Sequence, residues 1–469
     1  MPVEPLYPGA PTETRSNLLP KLAIKPWLST RPPRSLILRN ALVIDPASSK
    51  VLDGKQTVVV EDGKIVSVKK TQDGDAGQGV EDKDKDKEPP LVVDLDGKFL
   101  CPGLIDCHVH VTAVPGFKTM GELMRLPDQE MNLRVTYVLK EMIHRGFTTV
   151  RDTGGATKVL ANAIEEGLIL GPRLFQCGRA LSQTGGHGDF SPALSGTYEP
   201  GCCGGGTAQP LARVADGVPA VLSAVRGELK AGADFIKIMV GGGVSSETDA
   251  IETVQYTAEE LRAITTTCNQ MGGKLSTAHA YTVEAIRHAI ENGVKGIEHG
   301  NLIDEPTANL MASKGIYLTP TLCCYSAMAR PPFEDFLPPA SKVKNAQVMS
   351  KGLEALKIAY NAGVTICYGS DLLTSLHALQ TEEFAVRASV LPSAEILKHA
   401  TTNAAKLLGK TGLLGTISPG AYADLLVLNA NPLDDVKVLD RPEDHMLAIV
   451  KQGKVVKSLV EGLVVVESM

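Results

Sequence analysis

Six residues suited to metal binding or proton transfer fall at the ends of apolar, strand-like runs. The first run ends in Asp106-Cys107-His108-Val109-His110. In an extended segment residues i and i+2 point to the same side, so His108 and His110 can grip one ion together. Two unrelated surface histidines are the plainer alternative. Lys237 lies inside Phe235-Ile236-Lys237-Ile238-Met239. A lysine within an apolar strand is costly unless its charge is paired or removed. Burial lowers its pKa, and the neutral amine can act as a nucleophile. An amine that captures carbon dioxide becomes a carbamate, an anionic donor able to bridge two cations. The alternative is a lysine that reaches solvent from the strand end. His279, in Ser276-Thr277-Ala278-His279-Ala280, and His299, in Gly296-Ile297-Glu298-His299-Gly300, each close a short apolar run, with a helical stretch between them. Each alone also reads as a satisfied core histidine. Asp371 closes Tyr368-Gly369-Ser370-Asp371. Its carboxylate can ligate a metal, accept a proton from an activated water, or cap a following helix.

These side chains need a frame that brings strand ends together. Residues 102–410 alternate strands and helices, with candidate strands at 103–108, 148–152, 173–180, 234–240, 274–279, 296–299, 316–321 and 365–370. Amphipathic helical runs cover 257–271, 282–292 and 351–362, two of them stopped by Asn292-Gly293 and Ala362-Gly363. The pattern predicts an α/β protein, a (β/α)8 TIM barrel, with a doubly wound sheet as the competitor. Gly241–Gly243 lack the spacing of a dinucleotide loop. On a barrel, His-x-His, Lys, His, His and Asp would end strands one, four, five, six and eight, on the face where barrel enzymes carry their sites. The two chain ends differ from the middle. Runs at 36–46, 57–70, 91–95, 423–429, 446–451 and 454–466 are rich in Val, Ile and Leu, with turns at Asp62-Gly63 and Gln452-Gly453. The expected division is a Pro-rich arm over 1–34, a composite β-sandwich from 35–101 and 411–469, and a catalytic barrel over 102–410. Residues 71–90, dense in charge, read as a disordered surface loop.

Composition narrows the class. The chain has 469 residues, 43% hydrophobic and 21% charged, which supports a sizeable core. A net charge of −6 gives no pull toward nucleic acid or anionic membrane. No apolar run reaches the roughly 18–20 residues of a membrane span. The N-terminal stretch is Pro-rich without an apolar signal region, and the nine scattered cysteines contain no Cys-x-x-Cys pair. A cytoplasmic protein with reduced thiols is expected.

The ordered set, together with Pro102-Gly103-Leu104-Ile105-Asp106-Cys107-His108-Val109-His110 and the return segment Pro419-Gly420-Ala421-Tyr422-Ala423-Asp424, resembles the amidohydrolase superfamily with a two-metal centre. The resemblance covers about 36–465. Segments around His187, Gly241–Gly243 and His279-Ala280-Tyr281-Thr282 are similar to its prolidase-like branch. That branch holds Xaa-Pro and Xaa-Arg/Lys dipeptidases and fungal ochratoxinase, which cuts an amide to a C-terminal phenylalanine. The resemblance implies two divalent ions, zinc by preference. His108, His110 and Asp371 would hold one, His279 and His299 the other, and a carbamylated Lys237 would bridge them. It implies amide hydrolysis of a dipeptide or N-acyl amino acid by a metal-bridging hydroxide, with Asp371 shuttling the proton. His187 and Tyr281 would polarise the carbonyl or hold its oxyanion. Ochratoxinase-like members carry His where this chain has Tyr281, a departure toward the dipeptidase side. A homo-oligomer is expected on the same ground. Another amidohydrolase activity, such as cyclic-amide hydrolysis, and a silent barrel scaffold are the competing readings.

Loops over 182–218 and 322–344 are expected to cover the site. Arg213 and Arg330 are candidates for a substrate-carboxylate clamp, and Tyr325 for the leaving-group pocket. His144, His288, His377, His399 and His445 read as structural, and Cys202-Cys203 as free loop thiols.

Overall fold

A computed structural model describes Trp27 and residues 35–72, 89–123, 126–191, 211–246 and 249–465. Most of the Pro-rich arm, residues 73–88 of the charged loop and Cys202-Cys203 lie outside the described residues. The N-terminal strands are β1 (Leu36–Asp45), β2 (Lys50–Val51), β3 (Gln56–Glu61), β4 (Lys64–Lys70), β5 (Leu91–Asp94) and β6 (Phe99–Pro102). The central strands are β7 (Leu104–Val109), β8 (Phe147–Asp152), β9 (Arg173–Gln176), β10 (Ala180–Ser182), β11 (Ala212–Val214), β12 (Ile236–Met239), β13 (Ser276–Ala280), β14 (Gly296–His299), β15 (Tyr317–Thr319) and β16 (Thr365–Ile366). Three more, β17 (Leu425–Leu428), β18 (Met446–Lys451) and β19 (Lys454–Ser458), close the chain.

The two ends share one nine-stranded sheet in the order β19-β18-β17-β6-β1-β3-β4, with β2 and β5 also paired to β1. Its buried face mixes Leu38, Val58, Ile65 and Leu100 with Leu425 and Val450 from the opposite end of the sequence. The β3–β4 turn places Asp62 at φ 47° and Gly63 at φ 76°, the positive-φ pair that a two-residue hairpin turn requires. The expected strand over 454–466 stops at Ser458, where the chain turns.

The middle is parallel throughout. Strands β7-β8-β9 form one sheet, and β11-β10-β12-β13-β14-β15-β16 another. Backbone hydrogen bonds join the three-stranded sheet to the seven-stranded one on both of its sides. At one edge Cys107 N–H donates to the Tyr368 carbonyl (2.8 Å) and Asp371 N–H to the His108 carbonyl (2.9 Å). On the β9 side, Asp234 N–H, just before β12, donates to the Gln176 carbonyl (2.8 Å). Strand interiors are near-continuous apolar runs, as expected where both faces are covered. Leu104, Val150, Ile238, Ile297 and Leu318 belong to one large buried cluster. Connecting helices start where the sequence caps them. Thr257 and Glu260 form a reciprocal capping box on Ala258–Gln270, and Thr282 caps Val283–Glu291. The stretch 322–344, expected as a loop, carries the helix Cys323–Ala327 and the start of Pro339–Asn361. Pro339 sits in the first turn of the latter, where its missing N–H costs nothing. Among the described residues no helix is long and apolar enough to cross a membrane.

Candidate active site

His108, His110, His187, Lys237, His279, Tyr281, His299 and Asp371 all line one cleft at the C-terminal strand ends. His108 comes from β7 and His110 just beyond it. Lys237, His279 and His299 come from β12, β13 and β14, and Asp371 follows β16. The rings crowd together: His108 and His299 centroids lie 4.9 Å apart, His279 and His299 4.5 Å.

Outer partners set which nitrogen faces the centre. His108 Nδ1 lies 2.8 Å from the Glu298 carboxylate, and His110 Nδ1 lies 2.9 Å from the Gly154 carbonyl. Both partners only accept, so each ring donates outward through Nδ1. Each Nε2 then faces Asp371 Oδ1, at 3.4 Å from His108 and 3.3 Å from His110. His279 donates through Nε2 to the Gly242 carbonyl (3.2 Å), which frees its Nδ1. Outward donation from ligating imidazoles is the usual support of a metal site, and it leaves the inward nitrogens facing one another around Asp371. One ligand atom each from His108, His299 and Asp371 falls within 4.8 Å of the others. The donor set fits a divalent ion. It contains imidazole and carboxylate and no thiolate, a mixture suited to zinc.

Lys237 is 1% exposed, and no hydrogen bond or ion pair reaches its ammonium among the described residues. Burial lowers its pKa, against the pull of Glu298 and Asp371. Burial also pushes His279 and His299 well below the ordinary histidine value. For Asp371, burial raises the pKa, but the imidazoles of His108, His110 and His299 outweigh it and hold the carboxyl well below its usual range. His299 and Asp371 both take left-handed backbone, at φ 72° and 50°. Such conformations cost about 1–3 kcal/mol each and persist where surrounding structure imposes them. The helix-cap alternative for Asp371 fails, because the next helical turn is Thr374–Leu379, with Leu373 before it.

His187 stacks on His279 at 4.1 Å, and Gly243 packs against the His187 ring, where an added Cβ would lie 1.9 Å from ring atoms. Tyr281 accepts a hydrogen bond from the Tyr325 hydroxyl (3.0 Å), which leaves its own proton for the cleft. Tyr325 lines the cleft with Met328, and Phe190 and Leu211 line it from the earlier loop.

Arg213 and Arg330 do not line the cleft. Arg213 lies 3.7 Å from Glu228, and Arg330 pairs with Glu382 at 2.6 Å, so both charges are spent elsewhere. His288, His377, His399 and His445 hydrogen-bond to structural partners, and His144 sits on the helix Asp128–His144, none of them at the cleft. The sequence reading passed over Glu298 and Arg151. Both are buried, and Arg151 donates to Glu298 (2.6 Å), which in turn orients His108.

An amidohydrolase family profile matches residues 99–465. The ochratoxinase of Aspergillus niger is 34% identical over 371 residues, 76% of this chain and 75% of that protein. The crystal structure of a prolidase complexed with N-methylphosphonate-L-proline is 42% identical, with a TM-score of 0.83 over 90% of this chain and all of that one. That of a Xaa-Pro dipeptidase with bound methionine is 28% identical, with a TM-score of 0.77 over 90% of this chain and 99% of that one. With most of its length matched by the family profile, the chain belongs to the amidohydrolase family.

Proposed function

We propose that this chain is a binuclear metal-dependent amidohydrolase cleaving the C-terminal amide bond of dipeptides or N-acyl amino acids. The observation that carries this reading is the convergence of four imidazoles on one carboxylate, around a buried lysine that has no partner among the described residues. The assigned frame is a closed barrel over 102–410, with a composite β-sandwich from 35–101 and 411–469. His108, His110 and Asp371 would hold one divalent ion, His279 and His299 a second, with zinc fitting both. The neutral Lys237 amine would add carbon dioxide, release a proton and become the bridging carbamate. When bound, the ions would lower the pKa of a shared water and polarise the scissile carbonyl.

The chain's own groups do the rest. Asp371, ionised at neutral pH, accepts the proton of the attacking water and passes it to the leaving nitrogen. Tyr281 directs its free hydroxyl proton at the oxygen that gains charge, and His187 offers a second contact there. Phe190, Leu211, Met328 and Tyr325 present apolar surface to the substrate. The solved prolidase at 42% identity favours a dipeptide. A second reading, release of phenylalanine from an aryl amide, is favoured by 34% identity to ochratoxinase.

The test is a hydrolysis panel with zinc-loaded protein, comparing Xaa-Pro, Xaa-Arg, Xaa-Lys and Xaa-Phe dipeptides with N-acyl-phenylalanines including ochratoxin A. Faster turnover of free dipeptides supports the first reading, and preference for bulky N-acyl phenylalanines the second. No hydrolysis of either group, in protein shown to hold two ions per chain, would overturn both.

A further inference from the structure

Behind His187 lies a chain of polar contacts with no part in the ligand set. His187 Nδ1 sits 2.8 Å from Ser246 Oγ. Ser246 Oγ in turn makes a very close contact with Asp249 Oδ1. The other oxygen, Asp249 Oδ2, accepts from Gly243 N–H (2.9 Å) and Gln255 Nε2 (3.1 Å). A carboxylate only accepts, so the single hydroxyl proton of Ser246 goes to Asp249. Ser246 Oγ is then an acceptor for His187, and Nδ1 carries the ring proton. Among the described residues Nε2 is the His187 nitrogen without a protein partner.

Asp249 is a buried carboxylate, and its counter-charge comes from Lys344. The ammonium lies 3.8 Å from Asp249 Oδ1 and donates to the carbonyls of Gly243 (3.1 Å), Ser246 (2.8 Å) and Asp249 (2.5 Å). Lys344 is carried by the helix Pro339–Asn361, so one cation ties Gly243, Ser246 and Asp249 to a rigid element. Gln255 completes the frame, accepting from the His187 backbone N–H (2.9 Å) while donating to Asp249.

We propose that Ser246, Asp249 and Lys344 are positioning residues that fix the ring plane and tautomer of His187 so that Nε2 meets the substrate. The proposal rests on the reading of His187 as a substrate-contacting group. Triads of this logic hold a histidine in one orientation and lose rate when the orienting member is removed.

The test uses full-length, metal-loaded protein and the fastest substrate of the hydrolysis panel. Ser246→Ala and Asp249→Asn should lower kcat by about 10–100-fold while KM moves by less than about 3-fold and bound zinc per chain stays constant. Ser246→Thr, which restores the hydroxyl, should recover most of the lost kcat. Lys344→Met should lower kcat less, because backbone contacts still hold Asp249. The decisive comparison is a double-mutant cycle: Ser246→Ala placed on His187→Asn should cost nothing further. An undiminished kcat in Ser246→Ala, or a full additional loss in the double variant, would overturn the relay. An undiminished kcat in His187→Asn would instead sink the underlying reading of His187. Should Ser246→Ala not fold, the cycle with Asp249→Asn measures the same coupling and decides in the same way.

Discussion

Two buried ionisable clusters lie near each other in this protein and are built on opposite principles. In the first, Arg387 and Glu383 are fully buried and fully matched. Arg387 donates to Glu383 (2.7 Å), to the carbonyls of Cys367 (3.0 Å) and Pro320 (2.6 Å), and to His399 (3.1 Å). Glu383 also accepts the backbone N–H groups of Leu322 (2.9 Å) and Cys323 (2.6 Å). In the second, Lys237 has no partner among the described residues and imidazole nitrogens converge on one carboxylate. Matched charge is scaffold, pinning the segment after β15 beneath the cleft. Unmatched charge costs stability and is kept for what it can bind.

The contrast breaks most visibly at Asp371. Asp371→Asn keeps the shape, and Asn tolerates the left-handed backbone. It should lower kcat/KM by about 10⁴-fold with little change in urea midpoint; a loss under 10-fold would remove Asp371 from the chemistry. Arg387→Met attacks the matched cluster. It should cost about 3–5 kcal/mol of unfolding free energy, because Glu383 is left buried and unpaired. Denaturant unfolding with chelator present reads this directly, and a loss below about 1 kcal/mol would erase the distinction. The sharpest test reverses the sign. In chelated protein Lys237→Met should stabilise by about 1–3 kcal/mol, since it removes a buried amine without a partner. The same variant should abolish activity, and a fall in stability would show that Lys237 is paired after all.

What could be read ahead of the structure followed the period of the elements. His108 and His110 were legible because a two-residue spacing puts them on one side of a strand. Lys237 was legible as a charge inside an apolar run, and His279 and His299 as polar residues closing theirs. The same logic applies to Glu298 within Gly-Ile-Glu-His and Arg151 within Thr-Val-Arg-Asp, two charges in apolar runs that likewise need partners. Ser246, Asp249 and Lys344 were out of reach. Their meeting with His187 joins segments 59 to 157 residues apart, counted from positions 187, 246 and 344, and no local pattern encodes such a contact. The helix from Pro339 was hidden by Pro331, Pro332, Pro338 and Pro339, which read as a loop although the last is compatible with a first helical turn.

The division of the site between two sheets has a consequence for the life of the molecule. His108 stands on the three-stranded sheet and His279 and His299 on the seven-stranded one, beside a seam carried by the bonds of Cys107 and Asp371. Any ion gripped from both sides is a rivet across that seam, and its binding free energy adds to the resistance against opening. Without such an ion that seam would open more readily and expose β7 to proteases. With the proposed ions bound, their supply would set how long each copy survives as well as how fast it turns over substrate.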